Sequence, residues 1–122
     1  MSLTLSSKKV AKVTYDFAVN GGAESTISLE GYLPANVLVT GVWIREVTNV
    51  TGASATIKLV CGSTDITAAL TGTDIVTGAA TLISSATAVY VSTAGQLKVT
   101  IASGSGVTAG KLEYFVEYVD NN

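Results

Sequence analysis

Across most of this chain apolar residues return at every second position, a spacing that admits little besides β-strands. In KVAKVTYDFAV, Lys9–Val19, it aligns Ala11, Val13, Tyr15, Phe17 and Val19 against Lys12, Thr14 and Asp16. Successive strand side chains point to opposite faces of a sheet, so this division marks a half-buried strand. STISLE aligns Ile27 with Leu29, ATIKLVC aligns Ile57, Leu59 and Cys61, and QLKVTIA aligns Leu97, Val99 and Ile101. The final run, KLEYFVEYV, sets Leu112, Tyr114, Val116 and Tyr118 against Glu113, Phe115 and Glu117. Asn20-Gly21-Gly22 supplies the positive φ angles of a tight connection, and NVTGAS, Asn49–Ser54, reads as a second turn. TDIVTGAATLISSATAVYVS, Thr73–Ser92, reads as two or three short strands broken at Gly78 and at Ser84–Ser85. Gly62–Gly72 is ambiguous: Ser63 or Thr64 would cap one helical turn, but the β-branched residues that follow oppose it. About eight short strands with frequent turns make an all-β, antiparallel sandwich or barrel.

One segment breaks the alternation. Pro34 cannot donate a ladder hydrogen bond, so Tyr32–Asn36 is an entry loop standing before a strand. From Val37 to Thr48 both parities are apolar, with Val37, Val39, Trp43 and Val47 on one and Leu38, Val42 and Ile44 on the other. Such a strand is covered on both faces. Twelve extended residues span roughly 40 Å, more than a typical strand, and Thr40-Gly41 is the natural place for a bulge. One face meets the core; the other meets a loop, the second sheet or another subunit. Arg45 and Glu46 point to opposite faces and do not pair with each other. Arg45, the only arginine, suits a rim salt bridge or a bidentate bridge to a neighbouring chain.

The 122 residues suffice for one domain, read as an arm over residues 1–12 and a sandwich over 13–122. Charged residues are 13%, against roughly 25% in an ordinary soluble domain, while hydrophobic residues reach 48%. A surface rich in Thr, Ala and Val solubilises poorly and packs well, which points to a subunit held against its neighbours. No run approaches the ~18 apolar residues of a membrane helix. MSLTLSSKKVAK lacks the apolar core of a signal peptide, so the chain is read as soluble and without its own secretory leader. A net charge of −2 disfavours nucleic acid as a partner. Lys8, Lys9 and Lys12 form the one basic cluster, read as a solvated arm able to dock on an acidic partner surface.

Catalytic chemistry finds no purchase. The chain has no histidine, the usual general base and the commonest metal ligand. Glu113 and Glu117 share a strand face but stand about 13 Å apart, beyond the roughly 5–9.5 Å of glycosidase carboxylates. Asp65 and Asp74 lack the dense acidic spacing of a calcium loop. One cysteine, Cys61, makes neither an internal disulfide nor a zinc site and reads as a buried thiol. The sequence thus gives no enzyme, cofactor or metal.

GGAESTISLEGYLPANVLVTGVWIREVT, then GASATIKL, then VTAGKLEYFVEYV resemble phrases of small virion proteins of tailed bacteriophages. These share a Gly-Gly turn, a short strand, an L-P-A-N entry, a Val-rich strand and a closing AGK-aromatic strand, over roughly Tyr15–Val119. The resemblance implies a jelly-roll-like β-sandwich that decorates or cements the capsid, usually as a trimer, or builds a head fibre or tail component. It implies assembly in the host cytoplasm, a place on the capsid surface, the major capsid or another virion protein as partner, and no catalytic residues. The contacts read from the sequence are Val37, Val39, Trp43, Arg45 and Val47, with Lys8, Lys9 and Lys12 reaching the capsid. The alternative is a glycan-binding module of a head or tail fibre, stacking sugars on Tyr32, Trp43 and Tyr90.

Overall fold

The computed structural model describes residues 8–52, 54–71, 80–82, 89–102 and 106–120. Its elements in chain order are β1 (Lys8–Asp16), α1 (Phe17–Asn20), β2 (Ser25–Leu33), β3 (Val37–Thr51), β4 (Thr56–Cys61), β5 (Thr64–Asp65), β6 (Ala80–Leu82), β7 (Val89–Val91), β8 (Gly95–Ala102) and β9 (Ala109–Asp120). One sheet runs β1-β9-β3, with β6 and β7 sharing the fourth position along β3; the other runs β2-β8-β4-β5. Pairing is nested: β1 with β9, β2 with β8, β3 with β6 and β7, β4 with β5, all antiparallel. A hairpin wound over itself in this way is a jelly roll, as the sequence resemblance implied.

The alternation of the long strands holds. Leu97, Val99 and Ile101, Ile57, Leu59 and Cys61, and Leu112, Tyr114 and Val116 are all buried between the sheets. Burial also raises the pKa of the Cys61 thiol, against the smaller pull of a backbone hydrogen bond at Leu33. Tyr15 is enclosed in the same core and donates its hydroxyl to the carbonyl of Gly21 at 2.6 Å. Burial first, then the Asp16 charge, lifts its phenol to about 12.

Two local readings change. The first strand stops at Asp16 and does not continue to Val19. Asp16 Oδ1 accepts from the Ala18 amide at 3.0 Å, Asn20 Oδ1 accepts from the Asp16 amide at 2.8 Å, and Gly21 closes the turn at φ 78. These local bonds outcompete strand propensity, and Val19 is left 79% exposed. The described part of Gly62–Gly72, residues 62–71, forms no helix: β5 pairs back on β4, and Leu70 bridges Ile57. Residues 8–12 form the first half of β1 in unbroken register with β9. Residues 1–7 lie outside the described residues, as do Gly78 and Ser84–Ser85.

Bulges shape the rest. β2 extends through Tyr32 and Leu33 and shifts register between Ser28 and Gly31, with Glu30 in the left-handed region at φ 63. The expected bulge at Thr40–Gly41 is present as a register shift between Val39 and Gly41. At one end of the sandwich Gly22 lies flat against the loop before β9, its carbonyl accepting from Val107 N at 2.8 Å. A Cβ there would stand 2.0 Å from the Val107 carbonyl oxygen.

The capped turn yields a sharp contrast in urea unfolding. Leu97→Ala, in the centre of the core, is expected to cost about 3 kcal/mol. Val19→Ser is expected to stay within about 0.5 kcal/mol, where a strand running on to Val19 would have made it costly.

Candidate functional site

The bulge at Thr40–Gly41 decides which side chains of β3 face outward. Before it Val37 and Val39 enter the core; after it Val42, Ile44 and Glu46 do, all buried. Val37 and Val39 therefore do not share a face with Trp43 and Val47, and they are core residues and not surface contacts. A bulge inserts one residue against the partner strand and so exchanges the two parities. Leu38, Trp43 and Arg45 stand on the outer face, and Val47 follows on their parity, 41% exposed.

Adjacent strands complete that face in register. Trp43 is opposite Phe115 on β9, and Phe115 is opposite Lys12 on β1. The Lys12 ammonium lies 5.8 Å from the Phe115 ring centroid, within reach of a cation–π contact. The next row holds Thr14, Glu113 and Arg45. At the other end Leu38 stands between Val119 and Tyr90, whose hydroxyl donates to Asn36 Oδ1 at 2.7 Å. Val10, on the β1 edge, is 60% exposed.

Charges on this face neutralise one another. Glu113 accepts from Lys12 Nζ and from Arg45 Nη1, each at 2.9 Å. Glu117 pairs with Lys8 at 3.4 Å and accepts from Thr40 Oγ1 at 2.9 Å. Lys9, on the opposite face of β1, pairs with Asp120 at 3.3 Å. The Lys12 hydrogen bond is the largest influence and, with the Arg45 hydrogen bond and both positive charges, outweighs burial to hold the Glu113 carboxyl below its ordinary value of 4.5. Such exposed pairs contribute little stability individually. Their consequence is local: the Trp43–Phe115 patch is bordered by charges that already have partners, so covering it strands no bare carboxylate.

The outer face of the second sheet differs. Thr26 and Thr100 share a hydrogen bond at 3.2 Å, Lys58 reaches Asp65 at 3.2 Å, and Tyr32 stands out opposite Gln96, 69% exposed. Hydroxyls dominate it. The three rings proposed for a glycan platform are thereby separated. Tyr32 belongs to one outer face and Trp43 and Tyr90 to the other, so they line no common groove.

The sequence singled out Trp43, Arg45, Val47, Lys8 and Lys12, and the structure brings them to one face. Phe115, Leu38, Val119 and Val10, which complete the apolar patch, were not singled out. Phe115 and Val119 carry a signal: in KLEYFVEYV the outward parity is also apolar between and after the glutamates. Among the described residues no group of three or more acidic or cysteine side chains is placed to hold a metal ion. No helix is long and apolar enough to cross a membrane among the same residues.

No protein-family model matches the chain, and neither does any curated protein. Solved structures share its fold. A chain of the capsid asymmetric unit of cyanophage Pam1 is 19% identical with a TM-score of 0.66, over 94% of this chain and 86% of that one. A chain of the acid-stable capsid of Helicobacter pylori bacteriophage KHP30 is 17% identical with a TM-score of 0.65, over 97% and 92%. A chain of the capsid of Ralstonia phage GP4 is 18% identical with a TM-score of 0.62, over 93% and 86%.

The Glu113 pairs set a pH dependence. A carboxyl whose folded pKa is depressed stabilises the fold above its unfolded pKa, and that contribution disappears as pH falls through the folded value. Glu113→Gln should lower the melting temperature at neutral pH and flatten its decline between about pH 5 and about pH 3. Thermal melts across that range check it; parallel curves for the two proteins would show that the pairs do not matter to the fold.

Proposed function

We propose that this chain is a non-enzymatic structural subunit of a phage virion, a decoration or cement protein that stabilises the shell by packing between capsid subunits. The observation that carries the reading is the jelly roll it has in common with chains of three phage capsids, over 94%, 97% and 93% of its length. The face around Trp43 supports it independently. Aromatic and Arg-rich patches with a paired polar border are what subunit interfaces use.

On this reading Trp43, Arg45 and Val47 meet a sister copy, and Lys8, Lys9 and Lys12 meet the shell. The sequence resemblance favours three copies, and a closed ring of three buries the same pair of patches at each junction. A ligand that binds only the intact shell raises its stability by mass action. At about 25 cal/mol per Å², burying several hundred Å² of apolar surface contributes several kcal/mol per subunit, less the cost of ordering. Repetition over the shell makes that substantial. The subunit is placed on the outer capsid surface after assembly in the host cytoplasm.

An antibody raised against the purified chain tests this on virions of the phage that encodes it. Electron microscopy should show label spread evenly over the head. Label confined to the tail, or absent from intact virions, would remove the reading.

A further inference from the structure

We infer that the edge of β1, which no described strand covers, is a strand-addition site, and that it takes an extended, acidic segment of a different protein chain. An exposed edge strand presents unpaired backbone donors and acceptors, and folds usually blunt it. Among the described residues three of the edge positions are short or broken. β5 has 2 residues, and β6 and β7, which share one edge, have 3 described residues each. β2 has 9, but its ladder breaks between Ser28 and Gly31, where Glu30 turns through φ 63. β1 is different. Its 9 residues hold continuous register with β9 from Lys8 to Asp16, contain neither proline nor glycine, and meet no described strand on the other side.

A groove of ≈ 430 Å³ lies beside this strand, lined by Lys12, Val13, Thr14 and Asp16 and, across from them, by Leu29 and Glu30 of the β2 bulge. The bulge that spoils the edge of β2 forms one wall of the space beside β1.

Charge selects the occupant. Lys8, Lys9 and Lys12 are 69%, 52% and 53% exposed, and all three existing partners, Glu117, Asp120 and Glu113, sit on β9. Each ammonium has three donors, so donors remain for a strand arriving from the open side. Like charges directly opposite each other destabilise a pair of strands, and opposite charges stabilise it. Two copies of β1 laid antiparallel about their midpoint would set Lys12 against Lys12 but also Lys8 against Asp16 on each side, so charge alone does not reject a second copy. A strand whose carboxylates meet both Lys8 and Lys12, with small apolar residues between them facing Ala11 and Val13, suits this edge better. Main-chain hydrogen bonds then supply affinity, and the lysines supply selectivity.

This inference deepens the proposed assembly role by naming the chemistry of the partner segment, and its test does not depend on a virion. A short capped peptide alternating valine and glutamate, and its counterpart alternating valine and lysine, are titrated into the ¹⁵N-labelled chain at low salt. The acidic peptide should shift amide resonances from Lys8 to Thr14 and slow hydrogen exchange at the alternate amides there that face away from β9, and added salt should weaken it. The basic peptide should bind about tenfold more weakly or worse, the effect expected from the two cross-strand charge pairs at Lys8 and Lys12. In the variant Lys8→Glu/Lys12→Glu the preference should invert; the wild-type comparison stands by itself if that variant fails to fold. Equal binding of the two peptides, shifts confined to the Trp43 face or to β2, or no shift on β1 would overturn the proposal. So would protection of β1 that grows with protein concentration alone, which would make a second copy the occupant. None of these outcomes alters the expected labelling of virions.

Discussion

The ladder between β3 and β9 is the constraint on which the rest depends. β9 pairs with β1 on one side and with β3 on the other, so its register fixes both neighbours. Within that ladder the bulge at Thr40–Gly41 lets one strand serve two purposes. It keeps Val37, Val39, Val42 and Ile44 in the core while turning Leu38, Trp43 and Arg45 outward. Continuous pairing from Val37 would put Trp43 in the core and Ile44 in solvent. A one-residue slip exchanges every side chain between faces, so the bulge specifies the surface as firmly as it does the interior.

That surface explains the unusual composition. A chain with 13% charged residues has few side chains to spend, and it concentrates several of them on one sheet in pairs: Lys12 and Arg45 on Glu113, Lys8 on Glu117. The opposite sheet carries mostly threonine and serine hydroxyls, with the Lys58–Asp65 pair and Tyr32 among them. Aromatic rings among neutralised charges form a face that packs without stranding a charge, while a hydroxyl face tolerates water. The two outer faces of the sandwich thus differ in kind, one carrying aromatic rings among paired charges and the other mostly hydroxyls.

Much of this was legible in the amino-acid order. The period-two runs of β4, β8 and β9 placed their buried residues correctly, because each is a regular strand whose local pattern is its structure. The position of the β3 bulge is legible too, from Thr40-Gly41, but its effect on parity is not, and simple alternation groups Val37 and Val39 with Trp43. The end of β1 was hidden by the apolar character of Phe17 and Val19; the cap formed by Asp16 and Asn20 decides it. Which strands neighbour one another had no local signal, since β1 meets a partner almost the full length of the chain away. The burial of Glu46 was equally silent, because a single carboxylate in a run of valines reads as an exposed position.

Trp43 is the only tryptophan, so its emission reports the condition of this face directly. The most direct test is the emission maximum and acrylamide quenching of the purified chain as it is diluted from high micromolar to low nanomolar concentration. Association through the face predicts a shielded, blue-shifted indole at high concentration that shifts to the red as the oligomer dissociates. An indole that is fully quenched at every concentration, the highest included, would contradict the assignment of this face to contacts between copies.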